Sequence, residues 1–525
     1  MSSTPEQSRS VSRKINVKPA EPLLSFVPIS VLTDSYKTTH YMQYPESRKM
    51  VAYAEFRNGF DKDVEDTRLV FYGIRYLLEG FIARQWTQQD VDKAATFFST
   101  HRAPYFTDFP FPKDLMVKFV QQNNGYFPVV LETLPEGTCV HAHCPVFQIT
   151  AEDGYAPLCT FLETILTMLW YPTTVATLSR RARDRIEAAF DQSVERGCSN
   201  PLVGTRLHDF GFRGCTCVEQ SVLGGVAHLL NFDGSDTLSA AYYAQFHLND
   251  GEPVAMSIPA TEHSVMTAWR TEREALENMI DQFGTGIFAC VMDSYDYAEA
   301  LAEHLPAVAQ KQVGKGGFLV LRPDSGDPVE AVLLALEAAE RVFGVDMNSR
   351  GYKVPKGCGV IQGDGISIEM LDSILQAVMA KGYSAQAVAF GMGGGLLQRV
   401  NRDTMSFATK LSHIVYADGT EADTMKLPKS DPLKYSLPGI MAVKAVKGIP
   451  TAFPAEGGHV SPEENMLQVV WDNGPVEVEW KKFAELRQDV DAQWRALPKA
   501  ADVLSQPLKD KVKKVTARLR AHQDA

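Results

Sequence analysis

Arg322 and Asp324 stand two residues apart around a proline, in Arg322-Pro323-Asp324-Ser325-Gly326. Proline fixes the turn and withdraws a backbone donor, so the two charges flank a stiff corner. An arginine there can grip phosphate with two parallel hydrogen bonds. The carboxylate can accept from a sugar hydroxyl or hold Mg2+, and the same pair can equally seal a strand end. Gly363-Asp364-Gly365 lets backbone approach a ligand; Asp364 can touch that ligand or cap the following helix. Gly391-Met392-Gly393-Gly394-Gly395 concentrates glycine beyond any evident packing need. Bare N–H groups in such a turn cradle phosphate, and Arg402 downstream can add a cation. His263 follows Thr261-Glu262, and Asp293 leads Asp293-Ser294-Tyr295-Asp296. A histidine among phosphate-binding groups can bind pyrophosphate or accept a phosphoryl group, with Asp293 to orient it. Phe210 and Arg213 share Leu207-His208-Asp209-Phe210-Gly211-Phe212-Arg213-Gly214, and Asp236 ends Asn231-Phe232-Asp233-Gly234-Ser235-Asp236. Core is the default for Phe210, but its polar neighbours make ring stacking credible.

These groups need elements that bring them together. From 205 onward the chain repeats a short apolar run, a charged or glycine-rich loop, then a helix. The runs read as strands buried on both faces of a parallel sheet. Seven units stand out, at 206–210, 227–232, 254–258, 288–292, 318–321, 359–362 and 387–390. Their spacing fits βα units and predicts an irregular barrel, with an open doubly wound sheet as the alternative. Val329, Val332, Leu333, Leu336 and Phe343 share one face of a crossover helix. Residues 64–122 read as mostly helical, and 158–190 as helices. The 129–140 stretch reads as a small antiparallel element. Asn473-Gly474 marks a hairpin turn, and Phe483, Leu486, Val490 and Trp494 line a helix after it.

The fold class expected is therefore α/β: a barrel with a flanking β-rich α+β domain. Residues 1–22 read as a disordered tail, 23–165 as the N-terminal part of the flanking domain, and 166–410 as the barrel with the active site. Residues 411–525 read as its C-terminal β-rich part and terminal helices. A net charge of -12 argues against a nucleic-acid surface, so anions must be bound locally. No apolar run is long enough to cross a bilayer, and the first residues lack the apolar centre of a secretory signal. Eight cysteines occur without a CxxC pair; Cys215 and Cys217 are spaced CxC. Reduced thiols and a cytoplasmic setting are expected.

Taken together, the motifs resemble the nicotinamide phosphoribosyltransferase family. The resemblance rests on TDSYKTTHYMQYPE from Thr33, ETILTMLWYPTTVAT from Glu163, LHDFGFRG, NFDGSDT, SIPATEHS from Ser257, DSYD, RPDSGDP, QGDG and FGMGGGLLQRVNRD from Phe390, in family order. It implies a type II phosphoribosyltransferase barrel working as a homodimer with sites at the subunit interface. The implied reaction joins nicotinamide to the ribose of phosphoribosyl pyrophosphate (PRPP), with Mg2+ accompanying PRPP and ATP as phosphoryl donor. Pyrophosphate contacts then fall on Arg213, His263 and Arg322. Ribonucleotide contacts fall on Asp236, Asp324, Gly363, Asp364, Gly394 (beside Gly393) and Arg402. Phe210 would stack on the pyridine, with Tyr36 of the other subunit opposite. His263 would be phosphorylated, with Glu262 and Asp293 orienting it, and Arg57 would reach the neighbouring phosphate site. An acceptor at Asp236 suits a carboxamide and repels a carboxylate. The alternative is nicotinate phosphoribosyltransferase; rivals of other classes are a sugar-phosphate aldolase or isomerase, for which no strand end offers a clear lysine, and a non-catalytic binding protein. The chain departs from the family pattern at Met392, at Cys215-Thr216-Cys217 and in its longer start.

Overall fold

A computed structural model describes residues 27–103, 105, 107–195, 197, 199–428 and 435–523. The expected tail, 1–22, lies outside them. Six short strands build the barrel: β1 (Leu207–Asp209), β2 (Gly234–Ser235), β3 (Ile287–Val291), β4 (Phe318–Arg322), β5 (Cys358–Gln362) and β6 (Val388–Met392). Their order is β3-β4-β5-β6-β1-β2, and all pairings are parallel. The strands β3 to β6 are apolar except at the C-terminal ends of β4 and β5, because helices cover the outside and side chains fill the inside. Ala289, Val320, Ile361 and Ala389 form that inner layer, with Phe210, Ile258 and Phe318 packed on it.

The sheet edges are joined by the segment after Val254. Ser235 N–H donates to the Met256 carbonyl at 3.0 Å, and Ala289 N–H to the Pro259 carbonyl at 2.9 Å. Single parallel bridges, Gly234 to Met256 and Ala260 to Ala289, make this a seventh stave without full strand geometry. Five of the seven expected units coincide with strands. The run 227–232 does not: it is the end of a helix, Val218–Leu229, and the strand starts at Gly234. That helix end is buried all round, so its short apolar run mimics a core strand.

The flanking domain takes strands from both chain ends into one six-stranded antiparallel sheet. Its order is Glu421–Asp423, Phe407–Tyr416, Ser47–Phe56, Pro145–Glu152, Val130–Thr133, Gln468–Asp472. The expected 129–140 element is split: Val130–Thr133 joins this sheet, whereas Cys139–His141 pairs with Arg68–Val70. The hairpin at Asn473 has only one strand arm; past the turn a lone Trp471–Pro475 bridge ends the pairing. The helix Trp170–Ser193 joins the two regions, with Tyr171 OH donating to the Leu397 carbonyl at 3.0 Å. Phe483, Leu486, Val490 and Trp494 are buried on their helix, as the spacing predicts. Among the described residues no helix is long and apolar enough to cross a membrane, and every described cysteine is free.

Candidate active site

Parallel strands deliver their C-terminal ends to one mouth. Here those ends carry buried polar atoms that lack a hydrogen-bond partner: Asp209 Oδ2 at the end of β1, Arg322 Nε on β4, Gln362 Oε1 on β5, and Asp293 Oδ1 two residues past β3. Buried polar atoms are nearly always paired, so orphans gathered at one rim mark a place where something else binds.

The centre of the rim is a web around Asp293, whose side chain is 2% exposed. Its Oδ2 accepts from the Asp324 amide at 2.9 Å and the Ser325 hydroxyl at 2.5 Å. The Pro323 corner thus brings Asp324 back onto the neighbouring strand end. Arg322 Nη2 donates to Asp324 Oδ1 at 3.0 Å. His263 opens the short helix His263–Thr267, and its Nε2 lies 3.4 Å from Asp324 Oδ2 and 3.9 Å from Asp293 Oδ1. Its Nδ1 lies 3.3 Å from Ser294 Oγ. Glu262 has another place: it is the N-cap residue of that helix, and the contacts to the imidazole come from Ser294, Asp324 and Asp293.

Arg322 also links this web to a cavity of about 450 Å³, lined by Asp209, Phe210, Phe212, Arg213, Asp236, Thr237 and Arg322. Arg213 is exposed there on a single turn, Phe212–Gly214. Asp236 Oδ1 accepts from the Ser257 hydroxyl at 2.7 Å. The Phe210 ring is half-buried with the Arg322 guanidinium 5.6 Å from its centroid. Asp209 is fully buried and accepts from the Gly211 amide at 2.7 Å. Burial is the main reason its carboxyl is pushed up to about 6, with the charge of Asp236 adding to it. Asp209, Ser257, Ser294 and Ser325 were not singled out in the sequence; a carboxylate placed inside a buried strand end was the one available signal.

The glycine run divides into two kinds. A Cβ on Gly391 would lie 2.0 Å from the Phe210 ring, and one on Gly395 would lie 2.4 Å from the Ile366 carbonyl. Packing therefore requires both, contrary to the sequence expectation. Gly394 would meet only the flexible end of Gln398, at 3.4 Å. The amides of Gly394 and Gly395 open the short helix Gly394–Leu397, where first-turn N–H groups have no intrahelical acceptor. A Cβ on Gly363 would lie 2.9 Å from Phe210, and Asp364 is exposed. Ser367, not Asp364, caps the following helix, accepting from Met370 N–H.

The structure does not bring Arg402, Arg57 or Tyr36 to this rim. Arg402 and Arg57 line a second cavity of about 960 Å³, together with Lys62, His143, Lys410 and Lys426. Tyr36 sits on Ser35–Met42 in the flanking domain, 55% exposed. Among the described residues no group of three or more His, Cys, Asp or Glu is arranged to hold a metal ion.

The chain is similar to known proteins over most of its length. Residues 205–454 match the family model described as the nicotinate phosphoribosyltransferase (NAPRTase) family, and residues 28–131 match the nicotinamide phosphoribosyltransferase N-terminal domain. A nicotinamide phosphoribosyltransferase of Xanthomonas campestris pv. campestris is 38% identical, covering 88% of this chain and 97% of that protein. One of Acinetobacter baylyi is 28% identical over 84% of this chain and 93% of its own length. The solved structure of human nicotinic acid phosphoribosyltransferase superposes with a TM-score of 0.60 at 18% identity, over 92% of this chain and all of that one. At that identity the superposition speaks for the fold alone.

Proposed function

The chain belongs to the nicotinamide phosphoribosyltransferase family, and from that premise we propose that it transfers the phosphoribosyl group of PRPP to nicotinamide in NAD salvage. The products are nicotinamide mononucleotide and pyrophosphate. The pyridine nitrogen attacks C1′ of the ribose while the bond from C1′ to the pyrophosphate oxygen breaks. Carbon needs no enzyme nucleophile; catalysis depends on stabilising the departing negative charge more than the ground state. Arg322, Arg213 and His263 take that charge. Asp324 and Asp364 hold the ribose and stabilise its developing positive charge.

The observation that carries this reading is the convergence of His263, Asp293, Arg322 and Asp324 beside a cavity holding Phe210 and Asp236. A cation, carboxylates and a flat ring on one rim match a phosphorylated pentose next to an aromatic base. Asp236, held by Ser257, accepts the carboxamide NH2 and repels the carboxylate of nicotinate. Mg2+ is read as accompanying the diphosphate of PRPP, since this ion usually binds through substrate phosphates and one or two carboxylates, a part open to Asp324. It supplies charge neutralisation, and no step here is assigned to it. A second copy of the chain, in a homodimer, supplies Tyr36 and the Arg57–Arg402 cavity.

His263 is also read as the acceptor of the γ-phosphoryl group of ATP. Assays with PRPP and each base, with and without ATP, test the proposal. Nicotinamide mononucleotide should form, faster or further with ATP, and His263→Ala should remove the ATP effect. Absence of any mononucleotide sinks the transferase reading, and preference for nicotinate selects the alternative base.

A further inference from the structure

The cation-rich second cavity has a buried acid in its wall. Glu55, on the strand Ser47–Phe56, pairs across the sheet with Ala408, and Lys410 lies two residues along the same face. Ala408 and Lys410 both line the cavity. The Glu55 side chain is 2% exposed, and its Oε1 accepts from Arg57 Nε at 3.3 Å. Its Oε2 has no hydrogen-bond partner and stands 3.5 Å from Nδ1 of His143, which also lines the cavity. The backbone amides of Arg57 and Asn58 donate to the Met405 carbonyl at 3.2 and 3.3 Å, so this stretch is pinned to the turn that follows Arg402. Two lining residues keep a buried polar atom unpaired, Arg57 at Nη2 and Thr409 at Oγ1. A carboxylate in the wall of a hollow that takes a dianion opposes that ligand by like charge. Nothing in the proposed transfer at carbon uses it.

We propose that Glu55 is a positioning residue of the phosphate subsite, holding the Arg57 guanidinium by Nε and leaving its Nη1–Nη2 edge for the 5′-phosphate of PRPP. The inference rests on the reading of this cavity as the phosphate half of the composite site. An arginine grips phosphate best with two parallel N–H groups. With Nε taken by Glu55, the fork at the far end is the pair that remains, and its Nη2 is one of the unpaired donors. A free arginine loses rotamer freedom when it closes on a ligand. One already held by Nε has lost that freedom beforehand, so binding costs less and affinity rises. His143, beside the other carboxylate oxygen, limits where Glu55 can swing. The repulsion that the acid adds is offset because its charge is spent on the cation it holds.

Steady-state kinetics of the full-length protein test this. Glu55→Ala should raise the KM for PRPP roughly tenfold, the scale of a lost hydrogen bond to a charged group, and leave the KM for nicotinamide near wild type. Glu55→Gln keeps an oxygen for Arg57 Nε and should recover most of that loss. Glu55→Asp keeps the charge but withdraws the oxygen, so it should behave like Glu55→Ala and replaces it where the latter does not fold. Arg57→Ala should raise the KM for PRPP at least as far, and adding Glu55→Ala to it should cost nothing more, because Glu55 acts through Arg57. An unchanged KM in Glu55→Ala or Glu55→Asp, no recovery in Glu55→Gln, or a full further loss in the double variant overturns the proposal. Calorimetric titration of the same proteins with inorganic phosphate repeats the series without turnover, and the affinities should follow the same order. If the wild type forms no mononucleotide, the transferase reading fails on that result alone, while the phosphate titrations still decide the role of Glu55.

Discussion

The barrel rim and the second cavity hold opposite chemistries. At the rim carboxylates dominate: Asp209, Asp236, Asp293 and Asp324 surround Arg322. Burial lifts Asp209, and the charge of Asp236 adds to it. In the second cavity cations dominate: Arg57, Lys62, Arg402, Lys410 and Lys426. Lys410 is displaced the other way, below its ordinary value, first by burial and then in part by Arg57, Lys426 and Lys37. The Arg57 Nη2 there is buried without a partner. An acidic rim with one gripped arginine suits sugar hydroxyls, a carboxamide and a leaving group whose charge appears only in the transition state. A cation-rich hollow suits a permanent phosphate dianion. The difference is what the proposed composite site requires of one chain: two complementary hollows that the fold keeps apart.

Separating the halves by mutation should have the largest effect. Arg322→Ala in the rim and Arg402→Ala in the cavity should each leave little activity in their own homodimers. Unfolded and refolded together, they should recover roughly a quarter of the wild-type rate, because half the dimers then carry one intact composite site. No recovery on mixing would mean that rim and cavity serve separate purposes. Within the rim, Gly391→Ala should come next. Its Cβ would overlap the Phe210 ring, so both thermal stability and nicotinamide affinity should fall. Gly394→Ala should leave stability near wild type and raise the KM for PRPP. Equal behaviour of the two variants would remove the distinction between packing and binding glycines. A smaller effect, on selectivity alone, is expected from Asp236→Ala: the preference for nicotinamide over nicotinate should shrink, by comparison of kcat/KM for the two bases. Unchanged discrimination would reject the role given to Asp236.

The same contrast explains what the sequence could and could not reveal. Buried parallel strands write themselves as apolar runs, so β3 to β6 stand out. Arg322 and Asp324 were legible because they follow such a run directly. The helix end at 227–229 misled because burial on all sides erases helical periodicity. The glycine run overstated its case because a sequence does not show that the ring of Phe210, far earlier in the chain, lies on Gly391. Asp209 and Ser294 stayed hidden for a related reason. Their meaning depends on which atoms are left unpaired or brought near after folding, and spacing alone carries no such information.

Asp209 gives the smallest and most discriminating test of how the rim differs from the cavity. Its folded-state pKa of about 6 lies above the ordinary 3.8. For an acid raised in this way, the protonated form stabilises the fold fully below about pH 3.8, and that contribution is lost as pH rises through 6. At neutral pH the ionised carboxylate is therefore a cost, tolerated at a functional rim. Asn keeps an oxygen for the Gly211 amide but carries no charge. Asp209→Asn should accordingly raise Tm by a few degrees above pH 6 and converge with the wild type below pH 4. A parallel substitution of Arg57, at the cation-rich cavity, has no reason to follow that profile. If Asp209→Asn shifts Tm equally at all pH values, the rim carboxylate is not carrying the strain that burial implies, and the acidic rim would have to be rethought as ordinary packing.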